Sequence, residues 1–449
     1  MEENELKRKK FRFRLSAFQI ILLGFAGVIF FGAFLLCMPF SSKNNTFTPF
    51  LDSLFTATSA VCVTGLVVYD TATHWSIIGQ IIILLLIQIG GLGVVTVASS
   101  FALLTGKKIG LFGRGTMKEA LSAPNVGGIV RLTRFILKGV FTIELLGMLV
   151  MLPVFCNEYG ANGIWMSLFH SISAFCNAGF DILGTKNGNS SSLTAYSSNV
   201  LINLTIMTLI IVGGIGFLVW DDVCKHKFRF KKYRTQSKVV LIVTAVLILL
   251  PAIYYFCFEL TSLPVGERIL AALFQSTTTR TAGFNTVDFA SFSQAGIALT
   301  IFLMLVGGSP GSTAGGMKTT TIAVLFAAVI SIFKKHEDTE VLNRRIESEN
   351  VKQAVVILFM YISLFMAGGA IISQVEDLPL LTCLFESASA IGTVGLTLGI
   401  TPTLGVVSKL ILIVFMFFGR VGGLTLIYAT LAGKRIQISK KPIDKITVG

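Results

Sequence analysis

The sequence predicts an all-α integral membrane protein: four consecutive helix–pore loop–helix repeats in pseudo-four-fold arrangement around one ion pore. Three observations predict it. Apolar residues are 53% of the 449-residue chain and charged residues only 13%, with a mean hydropathy of +0.79, far from an ordinary globular domain. Eight apolar segments, in four pairs, approach the roughly 20 residues that cross a bilayer core. Four short segments between paired spans say nearly the same thing: AVCVTGL (Ala60–Leu66), AFCNAGF (Ala174–Phe180), TTRTAGF (Thr278–Phe284) and AIGTVGL (Ala390–Leu396).

The spans pair as Leu15–Met38 with Ile77–Leu104 and Phe135–Phe155 with Val200–Trp220. Val239–Phe258 follows, with Gly296–Val306 continuing into Thr319–Phe333, then Val351–Ser373 with Leu404–Leu431. The pairs divide the chain into a basic N-terminus (1–14), repeat one (15–105), repeat two with its connector (106–223), repeat three (224–334), repeat four (335–432) and a tail (433–449).

Inside each pair lies a stretch too short and too polar to cross: Pro49–Ala60, Ile164–Ala174, Glu267–Thr278 and Pro379–Ala390. These read as half-membrane helices that enter from outside and end near the midplane, the first capped by Thr48 with Pro49 at its first position. A helix C-terminus carries partial negative charge, so four aimed at one point favour a cation. The chain then returns outward as extended backbone, tolerated at that depth only when buried in protein or lining water. Glycine suits such a loop because it reaches positive φ without penalty and leaves carbonyls free to face an axis. Rings of carbonyls replace the hydration shell of potassium. The candidate ion ligands are Val63, Thr64 and Gly65; Asn177, Ala178 and Gly179; Thr281, Ala282 and Gly283; and Thr393, Val394 and Gly395. A phenylalanine stands ten residues before three of the glycines (Phe55, Phe169, Phe385) and nine before Gly283 (Phe274). One small-Gly-apolar triplet is only a membrane glycine; four in register with four helix pairs are a repeat.

A second glycine set follows: IQIGGLG (Ile87–Gly93), LIIVGGIG (Leu209–Gly216), LVGGSPG (Leu305–Gly311) and FFGRVGG (Phe417–Gly423). Such glycines suit close helix packing or a hinge, and in repeats one, two and four packing is the expectation. Repeat three is different. Gly307, Gly308, Ser309, Pro310, Gly311, Ser312, Thr313, Ala314, Gly315 and Gly316, ending at Lys318, put a density of breakers in mid-span that no continuous helix tolerates. This segment reads as an intramembrane loop below the filter and a candidate gate; a purely structural bend is its rival.

Arg280, Lys318 and Arg420 fall at membrane depth, where an unpaired charge is costly. Arg280 is expected to pair with Glu386 and brace the filter, and Arg420 to act with the loop in gating. Glu144 receives no role. The net charge of +14 is no sign of nucleic acid, because 29 of the 37 basic residues fall in five clusters: 1–14, 107–134, 225–238, 334–352 and 434–445. The clusters alternate with connectors almost free of them, which places both termini in the cytoplasm. The first span has no small-residue cleavage site before Pro39, so it is not a signal peptide. Seven scattered cysteines without C-x-x-C indicate neither a disulfide framework nor a zinc site, and Cys62 and Cys176 read as packing residues.

TATSAVCVTGL (Thr56–Leu66), FHSISAFCNAGF (Phe169–Phe180), RTAGFNTVDF (Arg280–Phe289) and FESASAIGTVGLTLG (Phe385–Gly399) resemble the Trk/Ktr/HKT superfamily of potassium transporters. The likeness covers Leu15 to Leu431 and is greatest to the bacterial Ktr membrane subunit. It implies a homodimer in the cell membrane with one pore per protomer, a cytoplasmic ring of nucleotide-binding regulators supplied by another chain, and no cofactor beyond the transported K+. It also implies Na+ as a candidate activator. By position it assigns the filter to Gly65, Gly179, Gly283 and Gly395, the gating loop to Gly307–Lys318 and the inner-helix arginine to Arg420. Relatives that favour sodium often have serine first, so Gly65 points to potassium. Two rivals stay open: a cation symporter or a sodium or ammonium channel of the same fold, and, remotely, an intramembrane serine hydrolase. The latter rests on the G-x-S-x-G pattern of Gly307–Gly311, which here lacks the strand–turn–helix context.

Overall fold

The computed structural model describes residues 15–105, 109–123, 125–184, 192–227 and 229–430. The basic N-terminus (1–14), Lys107 and the tail (433–449) lie outside the described residues. The fold is almost wholly helical. In order, α1 (Ala17–Cys37), α2 (Phe50–Cys62), α3 (Ile77–Leu92), α4 (Val94–Leu104) and α5 (Leu111–Ala120) lead into α6 (Ile129–Tyr159), α7 (Asn162–Phe175), α8 (Val200–Gly214) and α9 (Phe217–His226). Then come α10 (Thr235–Tyr254), α11 (Val265–Thr278), α12 (Gln294–Leu305) and α13 (Thr319–Phe333). A two-stranded hairpin, β1 (Glu340–Val341) with β2 (Arg344–Arg345), precedes α14 (Ser348–Glu376), α15 (Leu380–Gly392), α16 (Val406–Val421) and α17 (Gly423–Thr430).

Polar caps start several of these helices where the sequence leaves water. The Ser16 hydroxyl accepts from Gln19 N–H at 3.2 Å while the Gln19 side chain accepts from Ser16 N–H at 2.9 Å, a reciprocal cap on α1. Ser76, Asn199 and Ser293 cap α3, α8 and α12 in the same sense. The expected Thr48 cap is not formed. Pro49, in extended conformation, is itself the cap residue of α2, and Thr48 Oγ1 turns instead to His74 Nε2 at 3.1 Å.

Four helices are long and apolar enough to cross a membrane unbroken: α1, α6, α14, and α10 with its π-helical extension to Glu259. The inner spans of repeats one, two and four, expected as continuous, are not. α3 and α4 meet at 95° and α8 and α9 at 98°. A glycine with positive φ stands at each break (Gly93 at 84°, Gly216 at 95°), and Gly422 at 87° likewise separates α16 from α17. The halves α3, α8, α12 and α16 have 16, 15, 12 and 16 residues. That is roughly 18–24 Å each, short of a bilayer core.

Burial is inverted relative to a soluble protein. On α1, Phe30, Phe31 and Phe34 are exposed, whereas Ser53, Thr56, Thr58 and Ser59 of α2 are buried. Two of these hydroxyls are satisfied within the helix: Thr56 donates to Asp52 O at 2.9 Å and Thr58 to Leu54 O at 2.7 Å. Lipid is as apolar as the phenylalanines that face it, so only the polar helices must be enclosed by protein. Each short helix α2, α7, α11 and α15 packs on the long helix before it, with Phe55, Phe169, Phe274 and Phe385 fully buried.

Candidate functional site

The segments after the four short helices share one backbone path. Two residues before each glycine, the chain turns into the left-handed region: Val63 (φ 57°), Asn177 (59°), Thr281 (64°) and Thr393 (51°). Gly65, Gly179, Gly283 and Gly395 follow at 93°, 69°, 81° and 90°. Val63, Thr281 and Thr393 are β-branched, for which this conformation is an outlier that persists only when its surroundings enforce it. Hydrogen bonds enforce it here. Thr64, Ala178 and Val394 N–H each donate at 2.8 Å to the carbonyls of Ser59, Ser173 and Ser389, and Ala282 N–H donates to Thr278 O at 3.0 Å. The same four residues' hydroxyls complete the staple. Ser59 and Ser389 accept from Gly65 and Gly395 N–H at 3.0 Å, and Ser173 and Thr278 donate to the carbonyls of Phe180 and Phe284. These hydroxyls were missed as site residues; their signal was a serine six residues before three glycines and a threonine five before Gly283.

The four glycines touch one another in cyclic order. A Cβ on Gly65 would lie 2.5 Å from Ala178 O, on Gly179 2.6 Å from Ala282 O, and on Gly283 2.6 Å from Val394 O. One on Gly395 would fall closer still to Thr64 O, closing the cycle. No side chain fits at any of these positions. A cavity of about 550 Å³ opens on one side of the ring and is lined by all four glycines. Asp70, Asp181 and Asp288 line it, and no Lys, Arg or His does among the described residues. Sequence reading missed these acids, although Asp70 and Asp288 each follow their glycine by five residues; Asp181 follows Gly179 by two.

On the other side lies the loop Gly307–Lys318. Gly307 N–H bonds Met317 O at 2.8 Å, closing the loop's neck. Ser309 and Thr313 N–H donate to Gly214 and Gly213 O at 3.0 and 3.2 Å, Gly316 N–H donates to Gly419 O at 3.2 Å, and Gly311 O accepts from Phe217 N–H at 2.8 Å. Thr313 Oγ1 reaches Asn177 Oδ1 at 3.2 Å, and a Cβ on Gly315 would strike Thr393 Oγ1, so the loop lies against the left-handed residues of two segments. Lys318 folds back on the loop, donating to Ala314 and Gly315 O at 2.8 and 3.2 Å. The half-buried Arg420 guanidinium donates to Thr313 O in the loop, and to Gly90 O and Gly91 O of α3, the last at 3.0 Å. It therefore ties α3, the loop and α16 together.

The glycines of the inner helices do two jobs, where packing was expected over a hinge. Gly90, Gly213 and Gly419 sit under the Val61, Phe175 and Ile391 carbonyls so closely that a Cβ would overlap each oxygen. Three residues later, Gly93, Gly216 and Gly422 break the helix. Cys62 and Cys176 are buried as expected.

Arg280 and Glu386 do not pair. Glu386 accepts from the Thr397 and Thr401 hydroxyls, the latter at 2.9 Å, and from Leu398 N–H at 3.3 Å, bracing the chain just after Gly395. Arg280 is buried, and its Nε and Nη2 have no hydrogen-bond partner among the described residues. Three local donors saturate the carboxylate that a remote arginine was expected to claim. Glu144, unassigned from sequence, is buried and receives Gln88 Nε2 at 3.0 Å. Ser309 Oγ faces Thr319 Oγ1 at 3.1 Å and no histidine, so no nucleophile–base pair exists there.

The chain matches the family model described as "TrkH: Cation transport protein" over residues 6–434. It is 41% identical to the potassium/sodium uptake protein NtpJ of Enterococcus hirae, over 99% of this chain and 100% of that protein. To the Ktr system potassium uptake protein B of Bacillus subtilis it is 38% identical, over 93% of each. Its fold is similar to the crystal structure of the potassium transporter TrkH from Vibrio parahaemolyticus, with a TM-score of 0.74 and 19% identity, covering 94% of this chain and 86% of that one.

Proposed function

The chain belongs to the TrkH family of cation transport proteins, and on that premise we propose that it takes up potassium across the cell membrane through a selectivity filter made by its four glycine segments. It is a transporter, not an enzyme. The observation that carries the reading is the closed cycle Gly65, Gly179, Gly283, Gly395 at the ends of four short helices. Four left-handed turns aim carbonyls at one axis, and four helix C-termini add partial negative charge behind them. The pseudo-four-fold repeat organisation, 15–105, 106–223, 224–334 and 335–432, follows from the same cycle. The loop Gly307–Lys318, held by Arg420, is the gate; Glu386 supports the filter through Thr397 and Thr401, and Arg280 at its threshold awaits a partner. Both termini face the cytoplasm, by the positions of the basic clusters. The similarity to the potassium/sodium uptake protein NtpJ of Enterococcus hirae favours a second reading in which sodium is also carried or activates. Expression in cells lacking their own potassium uptake tests the primary reading: growth and uptake at low external potassium should be restored, and their absence overturns it.

Asp181 makes the outer mouth pH-sensitive. Burial pushes its carboxyl up to about 6, with the Leu183 N–H drawing it down and Asp70 adding to the rise. Above that pH the group is charged and attracts cations to the ring; below it the charge is gone. One charge is worth about 1 kcal/mol to a cation 4 Å away in water, roughly fivefold in apparent affinity. Uptake at low potassium should therefore fall as external pH drops through about 6, and Asp181→Asn should flatten the profile. An unchanged pH profile in that variant counts against the role.

As the resemblance to the Ktr membrane subunit implies, the chain is proposed to act as a homodimer with a separate cytoplasmic nucleotide-binding ring. The contact surface is the basic connectors Lys107–Arg134 and Lys225–Lys238 with the tail. The buried Leu121, just past α5, supports this, because a Cβ on Gly311 of the loop would lie 2.6 Å from Leu121 O. A regulator should co-purify, and its bound nucleotide should change potassium flux. Full, nucleotide-independent flux from the purified chain in liposomes, unaltered by added regulators, would sink the idea.

A further inference from the structure

Two cavities at the turn between α9 and α10 share Lys225 and differ in character. The first, of about 500 Å³, has an apolar wall of Ile129, Leu132, Phe135 and Leu218 with Arg131 and Arg234 at its rim. The second, of about 410 Å³, is lined by Lys225, His226, Lys227, Arg229 and Lys232. Asp221 is the only acid lining either among the described residues. That acid is committed to Lys225 at 2.6 Å and Arg234 at 3.1 Å, and the fully buried Asp222 bonds Arg234 N–H at 3.1 Å and the Ser237 hydroxyl at 2.6 Å. These bonds pin α9 to α10 and fix the cavity. Arg131, Lys227, Arg229 and Lys232 enter no ion pair among the described residues. Val223 and Phe230, at 40% and 43% exposure, stand beside these cations. Positive topology explains the number of cations but not an apolar cavity opening among them.

We propose that this pair of cavities binds an anionic phospholipid of the cytoplasmic leaflet, its phosphate among Arg131, Lys227, Arg229 and Lys232 and its glycerol and upper acyl chain along Ile129, Leu132 and Phe135. Basic pockets between spanning helices on the cytoplasmic side suit such headgroups, and the apolar wall excludes a fully hydrated anion as the better fit. The site reaches the loop through α9. Lys225 stands in the last turn of that ten-residue helix, and Phe217, which begins it, donates its N–H to Gly311 O at 2.8 Å. The bound lipid thus holds the helix on which the loop rests, and lipid charge tunes flux. The link to flux, and the assignment to the cytoplasmic side, rest on the transport reading above. This site narrows the regulator surface proposed above: α5 and the tail stay with the regulator, and the α9–α10 turn goes to lipid.

The test begins with binding, which needs no transport. Full-length protein in detergent is mixed with phosphatidylglycerol or phosphatidylcholine, and retained lipid is read by native mass spectrometry. Wild type should retain phosphatidylglycerol at least tenfold over phosphatidylcholine. The triple variant Arg131→Gln, Lys227→Gln, Arg229→Gln should lose that preference, and Arg131→Lys alone should keep it. Equal retention of both lipids, or equal phosphatidylglycerol retention by wild type and triple variant, overturns the site. Displacement by millimolar glycerol phosphate or inorganic phosphate would assign the cations to a soluble anion and overturn the lipid. In liposomes, potassium flux should rise with phosphatidylglycerol content in wild type and stay flat in the triple variant; equal slopes overturn the link through α9. Selective retention by a protein that carries no potassium in any liposome supports the site and counts against the transport reading instead.

Discussion

Gly395→Ala should reduce potassium uptake by about 100-fold or more, equivalent to about 2.7 kcal/mol, in a protein that still inserts. Two independent costs produce the loss. At φ 90° an alanine meets the left-handed penalty of about 1–2 kcal/mol. Its methyl would also overlap Thr64 O, the carbonyl of the neighbouring segment in the cycle, so the oxygen must leave its place. Gly179→Ala and Gly283→Ala face the same geometry against Ala282 O and Val394 O, and should behave alike. Gly65→Ser adds a hydroxyl that can itself act as an ion ligand, and should admit sodium or weaken the preference for potassium. Radiotracer or rubidium uptake with sodium competition, on variants confirmed at the membrane, decides the matter. Potassium uptake and selectivity left unchanged by substitution of each glycine in turn would falsify the filter.

Arg420→Ala should raise potassium flux, and deleting several residues of Gly311–Gly316 should raise it further. The guanidinium joins one loop carbonyl, Thr313 O, to two carbonyls of α3, Gly90 O and Gly91 O. A hydrogen bond from a charged donor contributes about 1.5–3 kcal/mol, so removing the tie should shift the loop toward its open arrangement by about ten- to a hundredfold. Lys318 holds only the loop's own carbonyls and cannot replace the cross-link. Flux measured in liposomes separates the effect from expression. A variant that assembles and conducts no faster than wild type counts against the loop as a barrier and leaves it a structural bend.

Composition was enough to choose the solvent. A 53% apolar chain with its cations in five clusters must place its backbone in helices across a bilayer. The four glycines were equally legible, because a positive φ and a close backbone approach leave one residue type at a position, and the same demand recurs four times. The Gly307–Lys318 loop was visible for the converse reason: breakers in mid-span have no helical alternative.

What tertiary structure decided was partnership. Glu386 was expected to reach Arg280 but is filled by Thr397, Leu398 and Thr401, whose approach depends on how the chain turns after Gly395. The inner spans of repeats one, two and four read as continuous because hydropathy cannot register a single glycine at φ 84–95°, yet that angle turns two of them through more than 90°. Of the three acids of the cavity, Asp70 and Asp288 share a five-residue spacing from their glycines but Asp181 stands only two after Gly179, so spacing alone does not bring the three together. Composition and glycine are one-dimensional signals that each residue carries alone. A hydrogen-bond partner is set by which distant carbonyls or hydroxyls converge, and that is known only once the backbone has been placed.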